Sequence, residues 1–151
     1  MTGATGRVPA EDIGDIEAIK QLKARYCRTL DTKDWPAFQA LLTDDVTVDT
    51  TESGGSVVTG ADEFLAFLVP TLTDVVTVHH CHTPEIEITS PDTATGIWAM
   101  EDRLRFADGN ELHGFGHYHE TYRRTGDGWR IASTRLTRLR MDMTAAPAAD
   151  V

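Results

Sequence analysis

Cysteine is nearly absent: the 151 residues include two, Cys27 and Cys81, too few for a disulfide framework. Basic charge is scarce as well. Fourteen Lys and Arg face 24 Asp and Glu, a formal net charge of −10, which disfavours a nucleic-acid backbone or an anionic lipid surface as partner. No apolar run approaches the ~20 residues of a membrane helix. No segment has the basic head, apolar centre and small-residue cleavage site of a secretory signal. A cytoplasmic location is therefore the expectation, with both cysteines reduced and packed as small hydrophobes. The sequence also lacks a phosphate-binding Gly loop, a dinucleotide fingerprint and a Gly-X-Ser-X-Gly elbow. Nucleophilic serine chemistry and redox cofactors thus have no support. His79, His80, His82, His117 and His119 supply imidazoles, but neither helical His-X-X-X-His nor paired Cys-X-X-Cys spacing accompanies them. No metal and no other cofactor is expected.

What is present suits one globular domain with a substantial core: 40% of the residues are apolar and 25% charged. Residues 1–10 read as a flexible leader, 11–142 as the domain and 143–151 as a flexible Ala/Pro-rich tail. From Glu11 to Leu30, apolar side chains recur every three or four positions, which predicts an amphipathic helix. Asp34 can cap a short second helix with Pro36 in its first turn and Phe38, Leu41 and Leu42 inward. Asp44-Asp45 should break that helix before a strand at Val46-Thr47-Val48. Val57-Val58 is extended, and a third helix, Ala61 to Leu68, should stop near Pro70. Four long β-rich segments follow: Val75 to Ile88, Ala94 to Phe106, Glu111 to Arg123 and Trp129 to Met141. The turn signals Pro91-Asp92, Asp108-Gly109-Asn110 and Gly126-Asp127-Gly128 separate them, which predicts an antiparallel meander. The fold class is α+β: a curved sheet wrapped around N-terminal helices, leaving a hollow for a ligand.

Polar groups on surfaces that should be buried carry the functional information. Tyr26 lies on the apolar stripe of the first helix. Asp31 ends that helix, where the dipole disfavours a negative charge, so it either starts a turn or pairs with a cation. In Val75 to His82, alternation puts His79 on one face and His80 on the other, so one of the pair points inward. An inward imidazole paired with a carboxylate is suited to proton transfer. Asp102 shares the apolar row of Trp98, Met100, Leu104 and Phe106, where an acid is either paired, with an arginine such as Arg135, or proton-bearing.

Arg25-Tyr26, Leu30-Asp31, Asp34-Trp35, Phe38 and Leu41 to Val46 resemble the SnoaL-like branch of the nuclear transport factor 2-like superfamily. So do the Val78-His79-His80 strand and the hairpin from Tyr122 to Ile131. The likeness spans roughly residues 11 to 142. It implies a cone-shaped α+β barrel with an open apolar pocket and a homodimer formed through the outer sheet face. Within this family, the pattern of bile-acid 7-alpha-dehydratase and hexachlorocyclohexane dehydrochlorinase pairs an Asp at the end of the first helix with a His early on the long strand. Asp31 and His79 match those positions, which makes His79 the inward imidazole. Tyr26 and Asp102 match the further Tyr and Asp of the dehydratase pattern. The ketosteroid isomerase pattern needs a carboxylate where this chain has Thr50. The limonene epoxide hydrolase pattern needs an Arg where it has Met100.

The resemblance therefore implies a cofactor-independent lyase of dehydratase type, acting on an apolar cyclic substrate such as a steroid or polyketide. Tyr26, Asp31, His79 and Asp102 are the expected catalytic residues, with Asp102 assisting a leaving hydroxyl if it is protonated. Trp35, Trp98, Met100, Phe115, Tyr118 and Arg135 are the expected substrate-pocket residues, though Arg138 and Arg140 share the last strand with Arg135. The alternatives are a non-catalytic ligand-binding or accessory-subunit protein, and isomerase or cyclase chemistry in the same pocket.

Overall fold

A computed structural model describes residues 6–148. The first helix, α1 (Ile13–Asp31), carries Ile19, Leu22, Tyr26 and Leu30 on one buried stripe. It ends through Lys33, a non-glycine residue in the left-handed region at φ 59°. Asp34 caps α2 (Trp35–Gln39) by accepting from the Ala37 N–H at 3.3 Å, and Pro36 sits where no intrahelical donor is needed. Phe38 is fully buried, as is Ile19. Each such side chain contributes roughly 1.5–3 kcal/mol of burial free energy.

Two boundaries differ from the sequence expectation. Strand β1 (Leu42–Asp49) begins at Leu42, ahead of the Asp pair. Leu41 accepts from the Ile131 N–H at 2.9 Å, which starts the pairing early, and Asp44 and Asp45 fall in an irregular stretch between Leu42 and Thr47 with their side chains exposed. After the short β2 (Val57–Thr59), helix α3 (Ala61–Leu72) runs through Pro70 instead of stopping before it. The end of the helix has other donors: the Thr71 hydroxyl reaches Phe67 O at 2.7 Å and the Thr73 hydroxyl reaches Val69 O at 2.6 Å.

The meander consists of β3 (Val76–Ser90), β4 (Thr93–Arg105), β5 (Glu111–Thr125) and β6 (Gly128–Thr144). All three consecutive pairs are antiparallel, while β1 joins β6 in parallel, giving the order β2-β1-β6-β5-β4-β3. The architecture is the expected α+β one, with the helices against the curved inner face. The sheet stays open, so it is not a closed barrel: β2 and β3 do not pair. Of the expected leader and tail, residues 1–5 and 149–151 lie outside the described residues, and Met143 and Thr144 belong to β6. No helix among the described residues is long and apolar enough to cross a membrane.

Candidate functional site

Strand β3 presents Thr77, His79 and Cys81 inward and Val76, Val78, His80 and His82 outward. The inward imidazole meets the end of α1. His79 Nδ1 lies 2.7 Å from Asp31 Oδ1, and the His79 backbone N–H donates to Asp31 Oδ2 at 2.8 Å. The Thr77 hydroxyl donates to Asp31 Oδ1 at 2.9 Å and itself accepts from Lys33 Nζ at 2.8 Å. Asp31 is therefore held from three directions, and the left-handed turn at Lys33 is what returns its ammonium toward the helix end. Partial burial alone would raise the Asp31 carboxyl. The hydrogen bonds from His79 outweigh it and hold the group below its ordinary range.

His79 and Asp102 are direct cross-strand partners on the inner face. Asp102 is 97% buried and accepts two parallel bonds from Arg138, at 2.8 Å from Nη1 and 2.9 Å from Nη2. This bidentate geometry belongs to an ionised carboxylate, so Asp102 has no proton to give a leaving group, contrary to one expectation above. Its partner is Arg138, not Arg135. Gly114, opposite Asp102 on β5, makes the pair possible: a Cβ there would lie 2.2 Å from Asp102 Oδ1 and 2.3 Å from Arg138 Nη1. Arg138 Nε also donates to Ser53 Oγ at 2.8 Å, tying the turn Thr51–Ser53 to the rim of the site.

These groups border a cavity of about 290 Å³ whose wall includes Tyr26, His79, Asp102, Tyr118 and Arg138. Leu30, Val48, Phe64, Leu68, Leu72 and Leu136 supply apolar wall. Burial raises the Tyr26 phenol above its ordinary range, so it stays a hydrogen-bond donor. Of the expected pocket residues, Tyr118 alone lines this cavity. Trp98 is buried, but its indole N–H donates to the Tyr122 hydroxyl at 2.8 Å. Met100 lies in the core, and Trp35 packs edge-on against Phe38. Phe115 and Arg135 are corrections of face. Phe115 pairs with Glu101 and stacks on His113 on the outer side, and Arg135 is exposed beside His119 there.

Sequence reasoning missed a buried ion pair behind the cavity. Lys23 on α1 and Glu120 on β5 are in contact, with side chains 1% and 0% exposed. Glu120 also accepts from the Tyr122 hydroxyl at 2.6 Å and the Thr134 hydroxyl at 3.0 Å. The Lys23 ammonium lies 3.9 Å from the Tyr26 ring centroid and 3.6 Å from that of Tyr118. Burial opposes the ammonium, but the Glu120 charge outweighs it and holds Lys23 above its ordinary range. The signal was available: Lys23 lies four residues after Ile19 and three before Tyr26, on the helix stripe. The remaining histidines, His80, His82, His113, His117 and His119, occupy the outer face. Among the described residues, no three His, Cys, Asp or Glu side chains group as metal ligands.

Comparison with known proteins agrees with this architecture. The chain is 30% identical over 137 residues to the protein named Probable cyclase FGR4 of Gibberella zeae, covering 80% of this chain and 89% of that one. The solved Kfla4162 protein from Kribbella flavida superposes with a TM-score of 0.79 at 25% identity, covering 89% and 95% of the two chains. The hexachlorocyclohexane dehydrochlorinase LinA-type3 from Novosphingobium barchaimii gives a TM-score of 0.78 at 15% identity, covering 91% and 94%, a likeness of fold. The sequence profile of the SnoaL-like domain matches residues 11–135. With its helices, open sheet and lined hollow accounted for, the chain belongs to the SnoaL-like domain family.

Proposed function

We propose that this protein is a cofactor-independent lyase that removes water from a compact, mostly apolar cyclic substrate. The observation that carries the reading is the Asp31–His79 contact at 2.7 Å on the wall of a cavity. Asp31 engages Nδ1, which leaves Nε2 as the nitrogen free to act as a base. His79 Nε2 takes a proton from the carbon beside an activating carbonyl. The electron pair moves into the new double bond through an enolate-like oxyanion, to which the Tyr26 hydroxyl donates a hydrogen bond. The hydroxyl on the neighbouring carbon leaves with the proton carried by His79, as water, and the imidazole returns to its starting state.

Arg138 gives the cavity a cationic pole, steadied by Asp102, at which a departing or developing anion is stabilised. The size of the cavity adds a constraint. About 290 Å³ sits at the lower end of the ~300–1,000 Å³ range of ligand pockets. A one- or two-ring substrate fits it better than a four-ring steroid. A second reading, cyclase chemistry on the same dyad, is favoured by the 30% identical relative named as a cyclase.

The test is turnover of a panel of cyclic β-hydroxy ketones by the intact protein and by His79→Ala, with product analysis by mass. The expected result is loss of water from the substrate and a fall of ~10²–10⁴ in the variant, with circular dichroism unchanged. Undiminished turnover in His79→Ala would refute the base role. Ring closure without loss of water would replace the dehydratase reading by the cyclase one.

A further inference from the structure

Cys27 and Cys81 are too few for a scaffold, yet the fold brings them together. Cys27 lies on α1, one turn before Asp31, and Cys81 lies on β3, two residues after His79 and on the same face. Their sulfurs are 3.5 Å apart, van der Waals contact for two thiols, across a sequence separation of 54. Both are free and half-buried, and neither lines the cavity. We infer that Cys27 and Cys81 form a redox clasp: a reversible disulfide, made by a small peroxide, that fastens the last turn of α1 to β3 beside the Asp31–His79 contact. The inference does not depend on the reaction proposed above.

The surroundings favour this chemistry in three ways. The sulfurs need only approach from 3.5 Å to a disulfide length of about 2.05 Å, between elements that already pack on one another. The contact between the two thiols holds the Cys27 thiol below its ordinary range and pushes Cys81 up. The buried Lys23 ammonium favours the thiolate further. Cys27 is thus the attacking sulfur and Cys81 the resolving one. The Cys27 thiolate attacks one oxygen of hydrogen peroxide and breaks the O–O bond. This gives a sulfenic acid and a hydroxide, which takes up the proton released from Cys27. The Cys81 sulfur then attacks the sulfenic sulfur, forms the S–S bond and expels hydroxide, which leaves as water with the Cys81 proton. Two thiols are oxidised and one peroxide is reduced to two waters. Cellular thiols reverse the step by exchange.

The experiment treats the folded full chain with hydrogen peroxide, blocks remaining thiols, and maps peptides without reduction. The expected product is one cross-linked species joining the Cys27 and Cys81 peptides, lighter by two hydrogens and cleaved by dithiothreitol. Because the disulfide closes a long loop in the unfolded chain, the oxidised protein should melt on the order of 10 °C higher than the reduced one. Cys81→Ser should stop at a sulfenic acid on Cys27 that dimedone traps, and Cys27→Ser should show no redox-dependent shift in melting. Both thiols remaining free, separate sulfinic acids without a cross-link, or a cross-link formed only in urea would each overturn the clasp.

Discussion

Replacing Lys23 by Met removes the cation that pairs with Glu120 inside the core. The carboxylate keeps the Tyr122 and Thr134 hydroxyls but loses its counter-ion at zero exposure. Breaking a buried pair from one side costs about 3–5 kcal/mol, against a typical total stability of about 5–15 kcal/mol. The reverse change, Glu120→Gln, should cost less, roughly 2 kcal/mol. The stranded ammonium still lies over two aromatic rings at 3.9 and 3.6 Å, and a desolvated cation–π contact is worth about 2 kcal/mol. In Lys23→Met/Glu120→Gln no charge is left unpaired, so the double variant should be more stable than the sum of the singles predicts by about 2 kcal/mol or more. Urea unfolding followed by tryptophan fluorescence measures all four corners, since Trp98 and Trp129 are buried. The alkaline limb gives a second check. Folded Lys23 is held above its unfolded value, so its contribution is fully present below pH ~10.4 and is lost as the pH rises through the folded value. Additive single effects, or a Lys23→Met cost below ~1 kcal/mol, would refute the reasoning.

Further predictions concern the cavity and the helix end. Gly114→Ala puts a methyl group 2.2 Å from Asp102 Oδ1 and 2.3 Å from Arg138 Nη1. The pair must part, at roughly 1–3 kcal/mol by urea midpoint, and an unchanged midpoint would show that the pair is not tightly held. Asp31→Asn should lower stability near neutral pH, with the gap to the parent closing in acid. Folded Asp31 is held low, so its contribution is present above pH ~3.9 and is lost as the pH falls through the folded value. Equal differences at neutral pH and well below pH 4 would contradict that assignment.

Periodicity was sufficient for the helices and the meander, because burial of one face fixes both a helix stripe and a strand alternation. It failed where a local irregularity resets the count. Ile131 is fully buried, so simple alternation along the last strand would turn Ser133 and Arg135 inward. A bulge between Ile131 and Ser133 shifts the phase, and Thr134, Leu136 and Arg138 face the cavity instead. The bulge is a property of the pairing with β5 and leaves no mark in composition. Phe115 is a different kind of miss: it and Tyr118 are three residues apart on one strand and face opposite sides. Asp31 and His79 were found through family resemblance as well as the oddity of an acid at a helix C-terminus. Lys23 and Glu120 carried a weaker signal, since a charged residue on a stripe is ordinarily read as a snorkelling one.

The His79 N–H does not join the ladder with β4; it points off the sheet and is taken by Asp31 Oδ2 at 2.8 Å. Strand β3 is the border of the sheet, and a border strand offers its spare backbone donors to any passing extended chain. Asp31 thus acts as a plug as well as an orienter of the imidazole. Further along, Pro84 brings no donor, in a stretch where pairing with β4 is already interrupted. Between them, these two residues protect the longest exposed margin of this protein from recruiting a stranger's strand into fibrous stacking.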